Sequence, residues 1–503
     1  LCPTQVFQKE KRARRLTMPR NEDTLQPEAL WRYFFELCKY PRCSGNETQA
    51  VQYIVDIANS LSLPVLRDEY GNLVVRKPPT KGRESHTPVV LQSHLDMVCE
   101  KNKDTAFDFA KDPIPVRIKD SWVIADGTSL GADNGIGVAA SLALLENREL
   151  SHPPVEALFT TQEETGLVGA RKLDRNFVKG RTLLNLDSEE EGVVFVGCAG
   201  GNDTIGTLSV HTEKVDFLNT YLISVSGLRG GHSGIEIHKG RGNAIKTLAR
   251  VLDELIRIDG VRIHKIIGGD KRNAIPRDSE AIVHLPGKKV GSAQKLVAQV
   301  ERQLALELKS TDPGLKVHIS DSKIIPTVDW AFTAAFQEKV IGLLLAIPHG
   351  VLAMSQDIDG LVETSTNLAA VESDEKCLTI QTSQRSSIKS AMFAAARHVQ
   401  AVMELAGSET CFENSYPGWT PNMDSSVLDA CRRVYKDLTG EDIKVKAVHA
   451  GLECGILGEK YEGMDMVSFG PTLQDVHSVH ERVSIPSVER FWTFLLELLK
   501  SLR

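Results

Sequence analysis

Metal-binding side chains close five short segments of this chain, and four of those segments read first as β-strands. They are Val89 to Asp96, which carries His94 and Asp96; Gly131 to Gly135, around Asp133; Leu158 to Glu164, ending in Glu163-Glu164; Leu183 to Asp187; and Val467 to Gly470, running on to His477. Imidazoles and carboxylates from such separated places form the donor inventory of a two-metal hydrolytic site, because oxygen and nitrogen ligands suit zinc, manganese or cobalt. The fold must therefore bring strand ends together across several hundred residues. Parallel sheets flanked by helices do this, since ligands bind beyond the carboxyl ends of their strands.

The order of segments agrees. Between residues 89 and 187 the chain alternates strand and helix: strand Val89 to Gln92, helix Gly135 to Glu146, strand Val155 to Thr161, helix Leu167 to Leu173, strand Leu183 to Leu186. That alternation predicts an α/β fold with a mainly parallel sheet. Ahead of it lie two helices, one after Pro27 with Leu30, Phe34, Phe35 and Leu37 on one face, the other from Thr48 to Leu61. A hairpin follows from Pro64 to Arg76. From about residue 205 to 412 the texture changes to strands and long helices without donors at strand ends, and the β/α texture resumes after Tyr416-Pro417-Gly418-Trp419. A chain of 503 residues exceeds one ordinary core. The reading is a catalytic domain (18–204 and 413–503) interrupted by an α+β insert (205–412). Residues 1–17 begin at Leu1 and hold a basic run from Lys9 to Arg15 without an apolar secretory core. They are read as a solvated tail or translated sequence ahead of a start at Met18.

Composition excludes several classes. A net charge of -7 argues against a nucleic-acid partner, and no apolar run reaches the roughly 18 residues of a membrane span. The nine cysteines (Cys2, Cys38, Cys43, Cys99, Cys198, Cys377, Cys411, Cys431 and Cys454) form no C-x-x-C pair, and free thiols in a reducing cytoplasm are expected. Gly197 to Gly201 lacks the Lys of a phosphate loop, Gly231-His232-Ser233-Gly234 is not a serine-hydrolase elbow, and no His-Glu-x-x-His is present. Asp126 to Gly137 lacks the closing Glu of a calcium loop.

Taken singly, the donors are ambiguous. Residues two apart in an extended segment point the same way, so Asp96 can accept from the His94 ring nitrogen that faces away from a metal; a surface His-x-Asp pair is the plain alternative. Asp133 opens a helix, where it caps the backbone or bridges two cations. Glu163 and Glu164 face opposite ways, so one can ligate while the other acts as a base beside the site. Most of the acidic run Asp187 to Glu191 reads as solvated loop, with Asp187 alone aimed inward.

Longer motifs settle a resemblance. Leu91 to Val98, Leu130 to Gly137, Asn185 to Gly192, Gly230 to Gly234, Arg272 to Arg277 and His449 to Gly455 resemble, in order, those of aminoacyl-histidine dipeptidases in the co-catalytic metallopeptidase family. That family includes carboxypeptidase G and the aminoacylases. The resemblance runs from about residue 28 to the C-terminus. It implies two divalent ions per subunit, zinc first, with cobalt or manganese able to serve. His94 and Asp187 would hold one ion, Glu164 and His477 the other, and Asp133 would bridge. Asp96 would orient His94, and Glu163 would be the general base for a water held between the ions. The insert would be a lid and dimerisation domain, with His232 stabilising the oxyanion and Asn273 and Arg385 gripping the substrate carboxylate. Similar enzymes have a cis Asp–Asn peptide at the bridge, here Asp133-Asn134. One departure is the segment His477-Ser478-Val479-His480-Glu481, where similar sequences have His-Ser-Pro-Asp-Glu, so His480 competes with His477 as ligand. The implied protein is a cytoplasmic homodimer hydrolysing Xaa-His dipeptides of the carnosine type. An amidase, deacylase or tripeptidase shares this scaffold, and a non-catalytic binder would have no use for Glu163.

Overall fold

The computed structural model of the chain describes residues 25–215, 219–321 and 329–502. The reading of residues 1–17 lies outside them. Among the described residues no helix is long and apolar enough to cross a membrane. The chain divides into two compact units. One holds residues up to Gly192 with Arg433–Glu441 and the chain from Phe469 onward; the other holds Val193–Arg432 and Asp442–Ser468.

An eight-stranded mixed sheet runs in the order Val65–Arg67, Leu73–Lys77, Val155–Thr160, Val89–His94, Thr182–Asn185, Asp465–Ser468, Val193–Cys198, Lys444–Val448. The strand Val89–His94 is buried along its whole length and lies parallel to both neighbours, as a strand covered on two faces requires. Its register pairs His94 with Thr160 on one side and Gln92 with Asn185 on the other. The three strands therefore end side by side and pointing the same way. His94, the Glu163-Glu164 pair just past Thr160, and Asp187 just past Asn185 emerge at one edge. A buried polar ladder fixes that register: Gln92 donates to Thr160 Oγ1 (3.2 Å), and Asn185 donates to Gln92 Oε1.

Helices pack where their apolar residues demand. Glu28–Leu37 buries Leu30, Trp31, Phe34, Phe35 and Leu37. It lies against Ala132–Glu146, whose residues from Asn134 to Leu145 are all buried. A helix without a polar face belongs inside. The expected hairpin is the antiparallel pair Val65–Arg67 and Leu73–Lys77.

The second unit contains a nine-stranded antiparallel sheet, with Lys316–Asp321, Thr220–Ser226, Ser279–His284, Arg262–Gly268, Val362–Ser373, Cys377–Ser386, Gly200–Ser209 and Glu409–Tyr416 in order and Gly350–Met354 paired beside Val362–Ser373. Helices Ala244–Leu255 and Ala334–Ala346 set Leu248, Leu252, Val340 and Leu344 into a core with Ile223, Ile263, Ile266 and Val283. The expected break in texture is thus a change from mainly parallel to antiparallel pairing.

The cysteine reading needs correction. Cys43 and Cys99 form a disulfide, with Cα atoms 5.7 Å apart. A parallel bridge between Cys43 and Met97 draws the two segments together, and a separation of 56 residues leaves no spacing signal in the sequence. Cys38, Cys198, Cys377, Cys411, Cys431 and Cys454 are free, as expected. Closing a loop of that length constrains the unfolded chain by up to about 4 kcal/mol. Urea unfolding with and without a phosphine reductant should show a lower midpoint for the reduced protein and for Cys43→Ser. An unchanged midpoint in both would contradict this.

Candidate active site

Five donors converge in the first unit. His94 Nε2 stands 3.1 Å from Asp133 Oδ1 and 3.2 Å from Asp187 Oδ1. His477 Nε2 stands 3.1 Å from Asp133 Oδ2 and 3.0 Å from Glu164 Oε1. Asp133 thus offers one oxygen to each of two clusters, and each cluster has its own imidazole and its own second carboxylate. Ligand atoms of His94, Asp133 and Glu164 all lie within 4.8 Å of one another. His477, not His480, faces the cage; the His480 backbone N–H instead donates to Ser478 Oγ at 3.1 Å.

Local backbone explains how each donor gets there. Asp133 lies in the first turn of its helix but has extended angles (φ -79°, ψ 113°), and the Asp133–Asn134 peptide is cis. The Asn134 side chain donates to Leu186 O at 2.7 Å, tying the bridge to the residue before Asp187. His94 Nδ1 meets the Asp96 backbone oxygen at 3.1 Å and its carboxylate at 3.4 Å. Asp96 has a second task, because its carboxylate accepts from the backbone N–H of Glu163 (2.9 Å), that of Glu164 (3.1 Å) and Ser44 Oγ (2.7 Å). It therefore holds the turn carrying the glutamate pair. Glu189 and Glu190 of the acidic run are exposed, while Asp187 turns inward.

Three residues near the cage escaped the sequence reading. Ser44 is one. Arg42 and Glu481, both buried, bind the backbone of the loops that carry the donors. A buried arginine carries no spacing signal. Glu481 stood in the His477 segment, and the Glu it shares with the His-Ser-Pro-Asp-Glu pattern was the signal that could have marked it.

Electrostatics suit a cation. Burial pushes the Asp187 carboxyl up to about 6, with Asp133 and Glu164 adding to the rise. Asp133 and Glu164 push His477 up to about 11. Burial would lower His94, yet Asp187, Asp133 and Asp96 raise it well above the ordinary imidazole value. The donor set fits a pair of divalent ions: two imidazoles and three largely buried carboxylates, one of them presenting its oxygens to two centres.

The remaining expected residues lie in the second unit. His232 sits on the short strand Gly231–His232, paired with Ala274–Ile275. Its Nδ1 accepts from the backbone N–H of Gly234 (3.2 Å) and Ile235 (3.0 Å). A neutral imidazole whose Nδ1 accepts carries its proton on Nε2 and is a donor there. Burial, with Arg385 adding to it, pushes His232 down to about 4, so it is neutral at ordinary pH. Arg385 is 8% exposed and donates to Tyr416 Oη at 2.9 Å. Asn273 is exposed, and its backbone carbonyl accepts from Ser233 N at 2.8 Å. His232 and Asn273 line a cavity of about 690 Å³ with Arg229, Lys271 and Arg277. The sequence reading missed His449, which meets Ser365 Oγ at 2.7 Å and is pushed down to about 3 by burial and then by Arg385.

Residues 90–501 match the model of peptidase family M20/M25/M40, and the chain belongs to that family. It is 41% identical over 479 residues to the cytosol non-specific dipeptidase of Escherichia coli (strain K12), covering 95% of this chain and 98% of that one. The crystal structure of aminoacylhistidine dipeptidase from Vibrio alginolyticus superposes with a TM-score of 0.87 at 40% identity, over 96% of this chain and 98% of that one. The aminopeptidase PepT of Bacillus cereus shares the fold alone, with a TM-score of 0.55 at 17% identity over 95% of this chain and 98% of that one.

The imidazole of His232 is open to direct measurement. Nitrogen-15 NMR should find it neutral, with the proton on Nε2, from pH 8 down to about pH 5. Because its folded-state pKa is about 4 against about 6.5 in an unfolded chain, the unfolded state takes up this proton first. Its contribution to stability is therefore lost as pH falls through that window. Titration near 6.5, or a proton on Nδ1, would contradict the assignment.

Proposed function

We propose that the chain is a metallo-dipeptidase that hydrolyses dipeptides with a free C-terminus, Xaa-His substrates such as carnosine among them, with wider acceptance. The observation that carries this is the shared carboxylate of Asp133, with an oxygen 3.1 Å from each of two imidazoles that belong to separate donor clusters. His94 and Asp187 would hold one divalent ion, Glu164 and His477 the other, and Asp133 both; zinc suits these donors best, with cobalt or manganese as substitutes. When bound, such a pair acidifies water and polarises the scissile carbonyl.

The chain's own groups do the rest. Glu163 takes the proton of the attacking water and passes it to the leaving amine. Asp96 sets its position by accepting the Glu163 backbone N–H. The His232 Nε2 proton is the donor for the oxygen on which negative charge grows. Arg385 pairs with the substrate's terminal carboxylate through its planar fork, with Asn273 as a second contact. A charged anchor at that end favours short substrates. The names of the two similar dipeptidases support this substrate class, and that of the Escherichia coli relative supports a cytoplasmic location. A homodimer completes the proposal, supported by Val351, Leu352 and Met354, which are exposed on the strand Gly350–Met354.

The test is hydrolysis of carnosine, other dipeptides and an N-acyl amino acid before and after chelation, with zinc, cobalt or manganese added back. Chelated protein should be inactive and metal should restore it. Glu163→Gln should lose about 10²- to 10⁴-fold in kcat while holding two ions. Undiminished turnover would remove Glu163 from its role, and faster turnover of the N-acyl amino acid than of any dipeptide would make the protein a deacylase.

A further inference from the structure

A bridging carboxylate works only if its two oxygens stay aimed at two centres. Asp133 has two side-chain torsions, so its aim depends on where the backbone of its loop is held. That loop, Leu130 to Asp133, belongs to no strand. Glu481 holds three of the loop's N–H groups, accepting from Leu130 N (2.7 Å) and Gly131 N (2.8 Å) through Oε2, and from Asp133 N (3.1 Å) through Oε1. On the carbonyl side Gly131 O accepts from Arg42 Nη2 and from Gly135 N (3.2 Å). The second arm of the same guanidinium donates to Leu95 O (3.3 Å) and Asp96 O (3.5 Å) at the end of the strand that carries His94.

Both anchors are buried charges, Arg42 at 2% exposure and Glu481 at 3%. Burying a charge is unfavourable unless it is hydrogen-bonded; Arg42 Nε has no hydrogen-bond partner, and the bonds named above from both side chains go to backbone of donor-carrying segments. Gly131 lies between the two, donating to one and accepting from the other. It has φ +70°, and a Cβ built there would collide with Arg42 and Met97. Connectivity adds meaning. Glu481 is four residues past His477, so it joins the bridge to the segment of one imidazole, while Arg42 joins it to the segment of the other.

We propose that Arg42 and Glu481 are positioning residues for the metal bridge: they clamp the Leu130–Asp133 backbone from its carbonyl and N–H sides and so fix the aim of Asp133 relative to both imidazoles. This rests on the two-ion reading of the cage. Neither residue is a ligand; each acts through Asp133. A merely structural role would be shared with Glu156, another buried carboxylate, which accepts from Lys179 N (2.7 Å), Gly180 N (2.8 Å) and Arg76 in a loop without donors.

The test compares Glu481→Gln, Arg42→Lys and Glu156→Gln in the full chain. Each is titrated with zinc by calorimetry, and its cobalt form is followed through the visible absorption bands of the metal. Glu481→Gln keeps the shape but turns an N–H toward backbone N–H groups; Arg42→Lys keeps the charge but loses the fork. Each should weaken binding of at least one ion by about 10- to 100-fold and alter the cobalt bands. Glu156→Gln should lower the thermal midpoint and leave both metal readouts unchanged. Unchanged affinities and spectra in both Glu481→Gln and Arg42→Lys would overturn the proposal while leaving the two-ion reading intact. Wild-type protein that takes up fewer than two ions would overturn that reading and this proposal with it. If one variant fails to fold, the other decides.

Discussion

The sharing of one carboxylate between two imidazoles drawn from opposite ends of the chain is the constraint on which the first unit depends. His94 and His477 meet Asp133 at equal distances on its two oxygens, although 383 residues separate them in sequence. No local structure can satisfy that. Three parallel strands in register must deliver His94, Glu164 and Asp187 to one edge, and the chain must come back after a long excursion to supply the last donor. The antiparallel sheet of the second unit is that excursion.

Charge concentrated at a sheet edge needs support beneath it. Three carboxylates in one place repel; on the protein side the imidazoles of His94 and His477 offset this, and buried hydrogen bonds to backbone hold the segments in place. Asp96 holds the Glu163-Glu164 turn, Asn134 holds the residue before Asp187, and Glu481 holds the loop of Asp133. The second unit shows the same economy at His232, where two backbone N–H groups occupy Nδ1 and leave Nε2 as the donor. In both places hydrogen bonds to backbone fix the orientation of a polar side chain or of the turn that carries it.

Much of this was legible because its causes are periodic or local. Strand and helix alternation from 89 to 187 announced the mainly parallel sheet, and donor types at strand ends announced the cage. The change of texture near 205, where donors at strand ends stop, falls close to Gly200–Ser209, the strand with which the antiparallel sheet begins in chain order. What escaped lacks a period. Arg42 and Ser44 act through tertiary contacts that no spacing encodes, the Cys43–Cys99 bond spans 56 residues, and His449 joins Ser365 and the field of Arg385 only in the folded sheet. For Asp133 the residues alone left a helix cap and a bridge both open, and the resemblance gave the bridge; its extended angles show only in the fold. Between His477 and His480 the registers of Ser478 and Glu481 favoured His477, and His477 is the imidazole that meets Asp133 and Glu164.

The central claim is a pair of ions joined by Asp133. Anomalous diffraction from crystals of the zinc-loaded protein tests it directly. The account predicts two peaks about 3.5–4 Å apart, one beside His94 and Asp187, the other beside Glu164 and His477, with the Asp133 carboxylate between them. A single peak, or two peaks without Asp133 as their common ligand, would contradict it.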